Sequence, residues 1–441
     1  MNEVMVDIPA VVNEPVREYT PGSPERTSLK SKLTEMENES YEIPIIIGGK
    51  TFHTGDTGDC RKPHDHQHIL GTYHKSGEVE VSQAITSALD AWQSWSATPL
   101  SERTAIFRRA AELLAGPWRD TINAATMLNQ SKNVYQAEID AACELIDFFN
   151  FNCQFAEEIC NNQPLISPDG IHNSLEYRAL EGFVFAVSPF NFTSIAGNLP
   201  TAPALMGNVV LWKPASSSVY SGYFIMQLLQ EAGLPDGVIN FLPGSGGKVG
   251  DPVMNSPELS GIHFTGSTAV FQGMWKCIGN NISRYNTYPR IVGETGGKDF
   301  ILAHESADTN SLATAMVRGA FEYQGQKCSA ASRCYVPESI WEEVKEKYLD
   351  QVNNIKMGDV NDFSNFMNAV IDEASFDNIV EYIEYTKASD IAEIISGGGY
   401  DKTDGYFIEP TTILSKYAHF RTLEEEIFGP VLTIHAYNRS W

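Results

Sequence analysis

Residues 182–213, GFVFAVSPFNFTSIAGNLPTAPALMGNVVLWK, decide the fold. Two short, nearly continuous apolar runs, GFVFAVS (182–188) and VVLWK (209–213), flank a stretch of helical texture. A strand this apolar has both faces buried, and such strands alternating with helices predict a parallel sheet covered on both sides. The pattern continues: VINFL (238–242) and IHFTG (262–266) alternate with helical Val219–Ala232 and Thr268–Cys277. The chain is therefore read as α/β, with a doubly wound domain of Rossmann type. Such sheets bind ligands where the C-terminal ends of the strands meet loops and helix N-termini.

A second α/β stretch begins at Lys298, with strands KDFILA, SRCYVP and VLTIHAY (431–437) and helices Asn310–Tyr323 and Trp341–Gln351. Upstream, Ile43–Ile47 and His68–Tyr73 read as strand pieces. Ile85, Leu89 and Trp92, then Ile106, Ala110 and Leu113–Leu114, mark two amphipathic helices, and Gln136–Phe155 reads as a third. Residues 1–40 are polar and turn-rich apart from short apolar runs such as Ile8–Val12. They read as an arm that wraps the body or stays mobile. PLISPDGIHNSLEYRALEG (164–182) predicts a long hairpin about Pro168-Asp169-Gly170, serving subunit contact or merely lying on the surface.

Composition narrows the partners. The chain has 441 residues, 42% hydrophobic, and 31 Lys+Arg against 56 Asp+Glu give a net charge of −25. That charge disfavours nucleic acid and anionic membranes, while leaving room for a small anionic ligand held by local donors. Seven cysteines without a CxxC pair read as reduced thiols. No apolar run reaches the ~20 residues of a membrane span. The N-terminus lacks the features of a signal peptide or a presequence. A soluble, cytoplasmic protein is expected, or one of the mitochondrial matrix if the source is eukaryotic. His64-Asp-His-Gln-His68 alternates histidines, but no cysteine cluster accompanies it and no metal is expected.

Several loops carry candidate chemistry. Gly244-Ser-Gly-Gly-Lys-Val-Gly250 misses a GxGxxG fingerprint because Val249 stands where glycine is needed, which favours an ordinary strand–helix turn. Phe264-Thr-Gly-Ser-Thr268 ends a strand and opens a helix, a seat for a pyrophosphate or simply a helix cap. Cys328 lies in Gly325-Gln-Lys-Cys-Ser-Ala330 among small and polar residues, unlike Cys153 and Cys334 in apolar runs. A neighbouring cation such as Lys327 would raise its thiolate content and make it a nucleophile rather than an inert loop thiol. Glu294, in Val292-Gly-Glu-Thr-Gly-Gly-Lys298, follows a strand and points into a crevice or into solvent. Asn191, in Ser188-Pro-Phe-Asn-Phe192, offers an amide to an oxyanion or serves a turn.

Together, SPFNF (188–192), LWKPA (211–215), FTGST (264–268), GETGGK (293–298), GQKCS (325–329) and EEIFGPV (425–431) resemble the aldehyde dehydrogenase superfamily. The likeness runs from about residue 41 to the end. EYQGQKCSAASR, AEIDAACELIDFFNFN, the arm segment NEPVREYTPGSPER and Phe271, where most members have glycine, are similar to the pyrroline-5-carboxylate branch.

The resemblance implies an arm (1–40), an NAD-binding domain (41–297) with an oligomerisation hairpin (162–181), and a catalytic domain (298–441). It implies oxidation of glutamate γ-semialdehyde to glutamate, with NAD as cofactor, in a homodimer or higher homo-oligomer. Cys328 is the implied nucleophile, forming a thiohemiacetal and then a thioester. Asn191 and the Cys328 backbone N–H hold the oxyanion, and Glu294 activates the hydrolytic water. Lys213, Ser267 and Glu426 contact the adenosine ribose, pyrophosphate and nicotinamide ribose, with Pro189, Gly266 and Phe428 alongside. Ser329 bonds the substrate carboxylate, and Glu144 corresponds to an active-site glutamate of the branch. Ser216, where many relatives have glutamate, leaves some tolerance of NADP open.

Family members also continue past the strand after EEIFGPV, with a glycine-rich loop for the substrate carboxylate. The chain, stopping at Asn438-Arg-Ser-Trp441, therefore reads as C-terminally truncated, with weak or absent turnover expected of it. The alternatives are a broader aldehyde dehydrogenase, a cysteine acyl-hydrolase that the implied cofactor contacts argue against, and an inactive NAD-binding fragment.

Overall fold

The computed structural model describes residues 10–438. The last three residues, on which the reading of a truncation turns, lie outside that range, as do Ile8 and Pro9 of the first apolar run.

Strands Phe183–Val187, Val209–Lys213, Ile239–Phe241, Leu259–Gly266 and Arg290–Thr295 run parallel in one seven-stranded sheet. Ile45–Ile47 and Lys50–Phe52 complete its edge in antiparallel register. The central strands are buried along almost their whole length, as their unbroken apolar runs require. Phe300–Leu302, Arg333–Pro337, Val431–Tyr437 and Thr411–Ser415 form a second, parallel run, with Ala392–Ser396 antiparallel at its edge. Each sheet lies against its own core, the larger gathered around Trp212, Phe185 and Tyr220, the smaller around Trp341, Tyr348 and Phe321.

The arm wraps the body. Pro24–Asn38 is a helix whose Ser23 cap accepts from the Arg26 N–H, and it buries Leu29, Leu33 and Met36. The sequence reading contains no helix there, because the apolar positions are few and diluted by charge. Ahead of it, Tyr19 is fully buried and donates to Glu138 at 2.8 Å. Glu138 also accepts from the Arg17 N–H at 2.8 Å and from Asn123 at 2.8 Å, and it pairs with buried Arg119. A π-helical turn, Glu138–Cys143, interrupts the helical run Val134–Asn161 and holds Glu138 in this network. Removing one partner of a fully buried ion pair strands the other charge, at about 3–5 kcal/mol. Glu138→Ala is accordingly expected to lower unfolding stability by about that amount and to open the arm to proteolysis. Denaturant unfolding with an unchanged midpoint would contradict this.

Residues 162–181 form no strand ladder, which corrects the expected hairpin. The turn at Pro168–Ile171 is present. The two arms are joined by side chains instead: Gln163 exchanges two hydrogen bonds with the Leu175 backbone, and Asn173 bonds Ser167 and Ile166. A two-stranded ribbon with no sheet beneath it has little to stabilise a ladder. Leu165, Ile166 and Ile171 stand in solvent.

Candidate active site

The nucleophile loop follows helix Thr309–Phe321, whose Asp308 cap accepts from Ser311 N–H at 2.8 Å. Tyr323, Gln324 and Gly325 then adopt φ values of 49°, 55° and 66° in succession. Left-handed backbone costs a non-glycine residue on the order of 1–3 kcal/mol, so the surroundings must impose it. Tyr323 donates to the Gln130 carbonyl at 2.9 Å. Gln324 donates to the carbonyls of Ser131 and Ala369 and accepts from Asn368 N–H at 3.1 Å. Gly325 is obligatory, since a Cβ there would lie 2.2 Å from the Gly429 carbonyl oxygen. This clamped turn presents Cys328 to a cavity.

The Cys328 thiol donates to Glu294 Oε1 at 3.2 Å, which brings together the two residues on which the implied chemistry turns. Burial, and then the Glu294 carboxylate, push the thiol up to about 11. The expected activation by Lys327 is absent. Its ammonium faces Asp140 at 3.4 Å and Glu322 at 3.9 Å, carboxylates that come from far earlier in the chain and from the preceding turn. Asp140 also holds Lys132, fully buried between the rings of Phe192 and Tyr323. No spacing in the sequence reveals this cluster.

Glu294 sits within strand Arg290–Thr295 rather than after it. Its flanking glycines make room for side chains. A Cβ on Gly293 would collide with the Phe271 ring at 2.2 Å, and one on Gly296 with the Glu426 carboxylate at 2.1 Å. Glu426 accepts from Gly297 N–H at 3.1 Å, and burial raises its pKa. Phe428, at φ 57°, meets Phe190 edge-on at 5.9 Å.

Asn191 donates one amide hydrogen to the Gln326 carbonyl at 3.0 Å, leaving its second beside the nucleophile loop. Ser329 is exposed next to Cys328. Glu144 opens helix Glu144–Asn161, accepts from Ser194 at 2.6 Å, and is raised chiefly by burial. It neighbours the Lys132–Asp140–Lys327 cluster rather than lining the cavity.

The cavity holds ≈790 Å³ and lies at the C-terminal ends of the parallel strands. Cys328, Asn191, Lys213, Ser267, Glu426 and Phe428 all line it, as do Pro189 and Gly266. Gly246, Gly247 and Gly250 line it too, so the glycine turn that the sequence reading sets aside is part of the wall. Lys213 is buried, has no carboxylate partner among the described residues, and donates to the Pro214 carbonyl; burial pushes it down to about 8. Ser267 caps helix Thr268–Asn281, accepting from Val270 N–H at 3.4 Å, and the Thr268 and Ala269 N–H groups at its start have no intrahelical acceptor. A lone buried cation, a helix N-terminus and open space beside Gly246 and Gly250 suit an elongated anionic ligand such as a dinucleotide.

The aldehyde dehydrogenase family profile matches residues 52–440. The chain belongs to the aldehyde dehydrogenase family. Within that family it is similar to the mitochondrial Δ1-pyrroline-5-carboxylate dehydrogenase of Dictyostelium discoideum, 49% identical over 98% of this chain and 78% of the relative. The human mitochondrial enzyme of that name is 45% identical over 97% of this chain and 76% of its own length. Among solved structures, the Mycobacterium tuberculosis Δ-pyrroline-5-carboxylate dehydrogenase bound with NAD superposes with a TM-score of 0.95. It is 48% identical, covering 99% of this chain and 80% of that one. The aldehyde dehydrogenase fold is thus shared with relatives whose structures contain NAD. No helix among the described residues is long and apolar enough to cross a membrane.

Proposed function

We propose that this chain oxidises L-glutamate γ-semialdehyde, the open form of Δ1-pyrroline-5-carboxylate, to L-glutamate with NAD, as in the second step of proline degradation. The observation that carries this reading is the Cys328–Glu294 pair beside a dinucleotide-sized cavity, in a chain almost half identical to enzymes of that name.

Lys213, Ser267 and Glu426 hold the cofactor, with Pro189, Gly266 and Phe428 shaping its walls. Bound there, NAD supplies the hydride acceptor. The Cys328 thiol loses its proton to solvent, and the thiolate adds to the aldehyde carbon. The free Asn191 N–H and the Cys328 backbone N–H stabilise the resulting oxyanion. Loss of hydride leaves a γ-glutamyl thioester on Cys328. Glu294 then deprotonates the water that hydrolyses it, and glutamate leaves as the thiol is restored. Ser329 is assigned to the substrate carboxylate and Glu144 to the electrostatics beneath the loop. Residues 41–297 serve as the cofactor-binding unit and residues 298–441 as the catalytic one.

The arrangement is tested by incubating the protein with NAD and the semialdehyde and following NADH and glutamate. Absence of both, with NAD bound, would overturn the reading. Lys213→Ala is expected to weaken NAD binding about tenfold, the loss of one charged hydrogen bond at about 1.5 kcal/mol. Titration calorimetry giving an unchanged Kd would remove Lys213 from the site.

The exposed apolar residues of 162–181 and the neighbouring Phe155 and Ile159 are assigned to a homo-oligomer contact. Leu165→Asp with Ile166→Asp is expected to reduce the assembly mass in light scattering. A cytoplasmic location is proposed, or the mitochondrial matrix if the source is eukaryotic, the latter supported by the mitochondrial names of eukaryotic relatives.

A further inference from the structure

The alternating histidines 64, 66 and 68 make separate contacts: His64 bonds Ser131, His66 the Lys402 carbonyl and His68 the Glu37 carbonyl. Two other histidines do meet. Glu42 lies on strand Tyr41–Ile43, His53 just past strand Lys50–Phe52, and His74 at the end of strand Asp65–His74. His74 Nε2 is 2.8 Å from Glu42 Oε1 and 3.1 Å from His53 Nδ1, and His53 Nδ1 is 3.2 Å from the same Glu42 oxygen.

From this triangle we infer a binding site for a first-row divalent transition ion, Zn²⁺ above all, ligated by Glu42 Oε1, His53 Nδ1 and His74 Nε2. Bonds of about 2.0–2.1 Å to a tetrahedral ion set donor atoms about 3.3 Å apart, close to all three edges seen here. Imidazole and carboxylate donors suit Zn²⁺ and its neighbours better than Ca²⁺ or Mg²⁺, which take oxygen. The His74 ring is buried and fixed, whereas Glu42 and His53 are exposed, so an ion enters from solvent and keeps water as its fourth ligand.

One contact sets the chemistry of loading. His74 Nδ1 accepts from Gly55 N–H at 3.1 Å, so in the neutral ring the proton sits on Nε2, facing Glu42. Coordination through Nε2 moves that proton to Nδ1, and the Gly55 N–H must give way. Gly55 lies in the exposed 53–56 loop at φ 80°, where such a shift is available. The rival arrangement is metal-free, with two imidazole N–H groups sharing one carboxylate oxygen.

Tag-free protein titrated with Co²⁺ as a visible probe, then displaced by Zn²⁺, separates the two. One equivalent is expected, with the weak visible bands of nitrogen and oxygen ligation and no thiolate charge-transfer band, which marks binding at Cys328 instead. His53→Ala and Glu42→Gln, both at exposed positions, are each expected to weaken binding at least tenfold without altering apo stability. Zn²⁺ is also expected to speed hydrogen–deuterium exchange at Gly55 in the parent and not in His53→Ala. Binding unaffected by either substitution, no saturable equivalent, a thiolate band only, or unchanged Gly55 exchange would each overturn the site.

Discussion

Cys328→Ala is expected to form no NADH from glutamate γ-semialdehyde, a fall of about 10⁴-fold or more, while binding NAD as the parent does. Without a thiol at position 328 there is no thiohemiacetal from which hydride can leave, and Cys143, Cys153 and Cys334 lie outside the cavity lining. Cys153 and Cys334 are buried in the cores, and each is raised by burial to about 12. Cys143 is buried beside Glu138 and likewise raised, chiefly by burial. Lys213, Ser267 and Glu426, the groups proposed to hold the cofactor, are untouched, so a Kd for NAD measured by fluorescence quenching should not move. NADH formation surviving in Cys328→Ala would place the nucleophile elsewhere.

Glu294→Gln is expected to split the reaction in two. Thioester hydrolysis loses its base, so steady-state turnover falls about 10²–10⁴-fold. The steps through hydride loss survive, giving a burst of one NADH per Cys328. The thiol itself becomes more reactive. Its pKa of about 11 is set first by burial and then by the hydrogen bond and charge of Glu294, all of which raise it. Removing the charge lowers that value, so more thiolate is present at pH 7.5 and iodoacetamide alkylation accelerates. Each unit of lowering is worth about tenfold while the pH stays well below the pKa. In the parent, alkylation should climb with pH toward 11. A variant alkylated more slowly than the parent would show that Glu294 activates rather than restrains the resting thiol.

The parallel strands were legible because local composition decides them: VVLWK and VLTIHAY are strands over the same residues in the structure. Cys328, Glu294 and Asn191 were readable as candidates by residue type and loop context, and the family resemblance assigned their roles. What local sequence withheld was long-range. Lys327 adjoins Cys328 in the chain, yet Asp140 draws its charge away, and only folding brings Asp140 there. Gly293 and Gly296, which flank Glu294, make room for the side chains of Phe271 and Glu426, and the segment around Glu294 names neither partner. The left-handed turn at Tyr323–Gln324 is imposed by hydrogen bonds that both side chains donate to carbonyls of Gln130, Ser131 and Ala369, against the preference of both residues. The 164–181 segment alternates like a hairpin but has no sheet to lean on, so its pairing falls to Gln163 and Asn173.

The covalent intermediate is where sequence, geometry and proposed chemistry converge. Glu294→Gln protein, mixed with NAD and glutamate γ-semialdehyde, quenched in acid and digested, is expected to carry a γ-glutamyl adduct on the peptide containing Cys328. The adduct should match the NADH burst in amount and be absent when NAD is omitted. An unmodified Cys328 peptide after a full burst, or the adduct on another residue, would contradict the account.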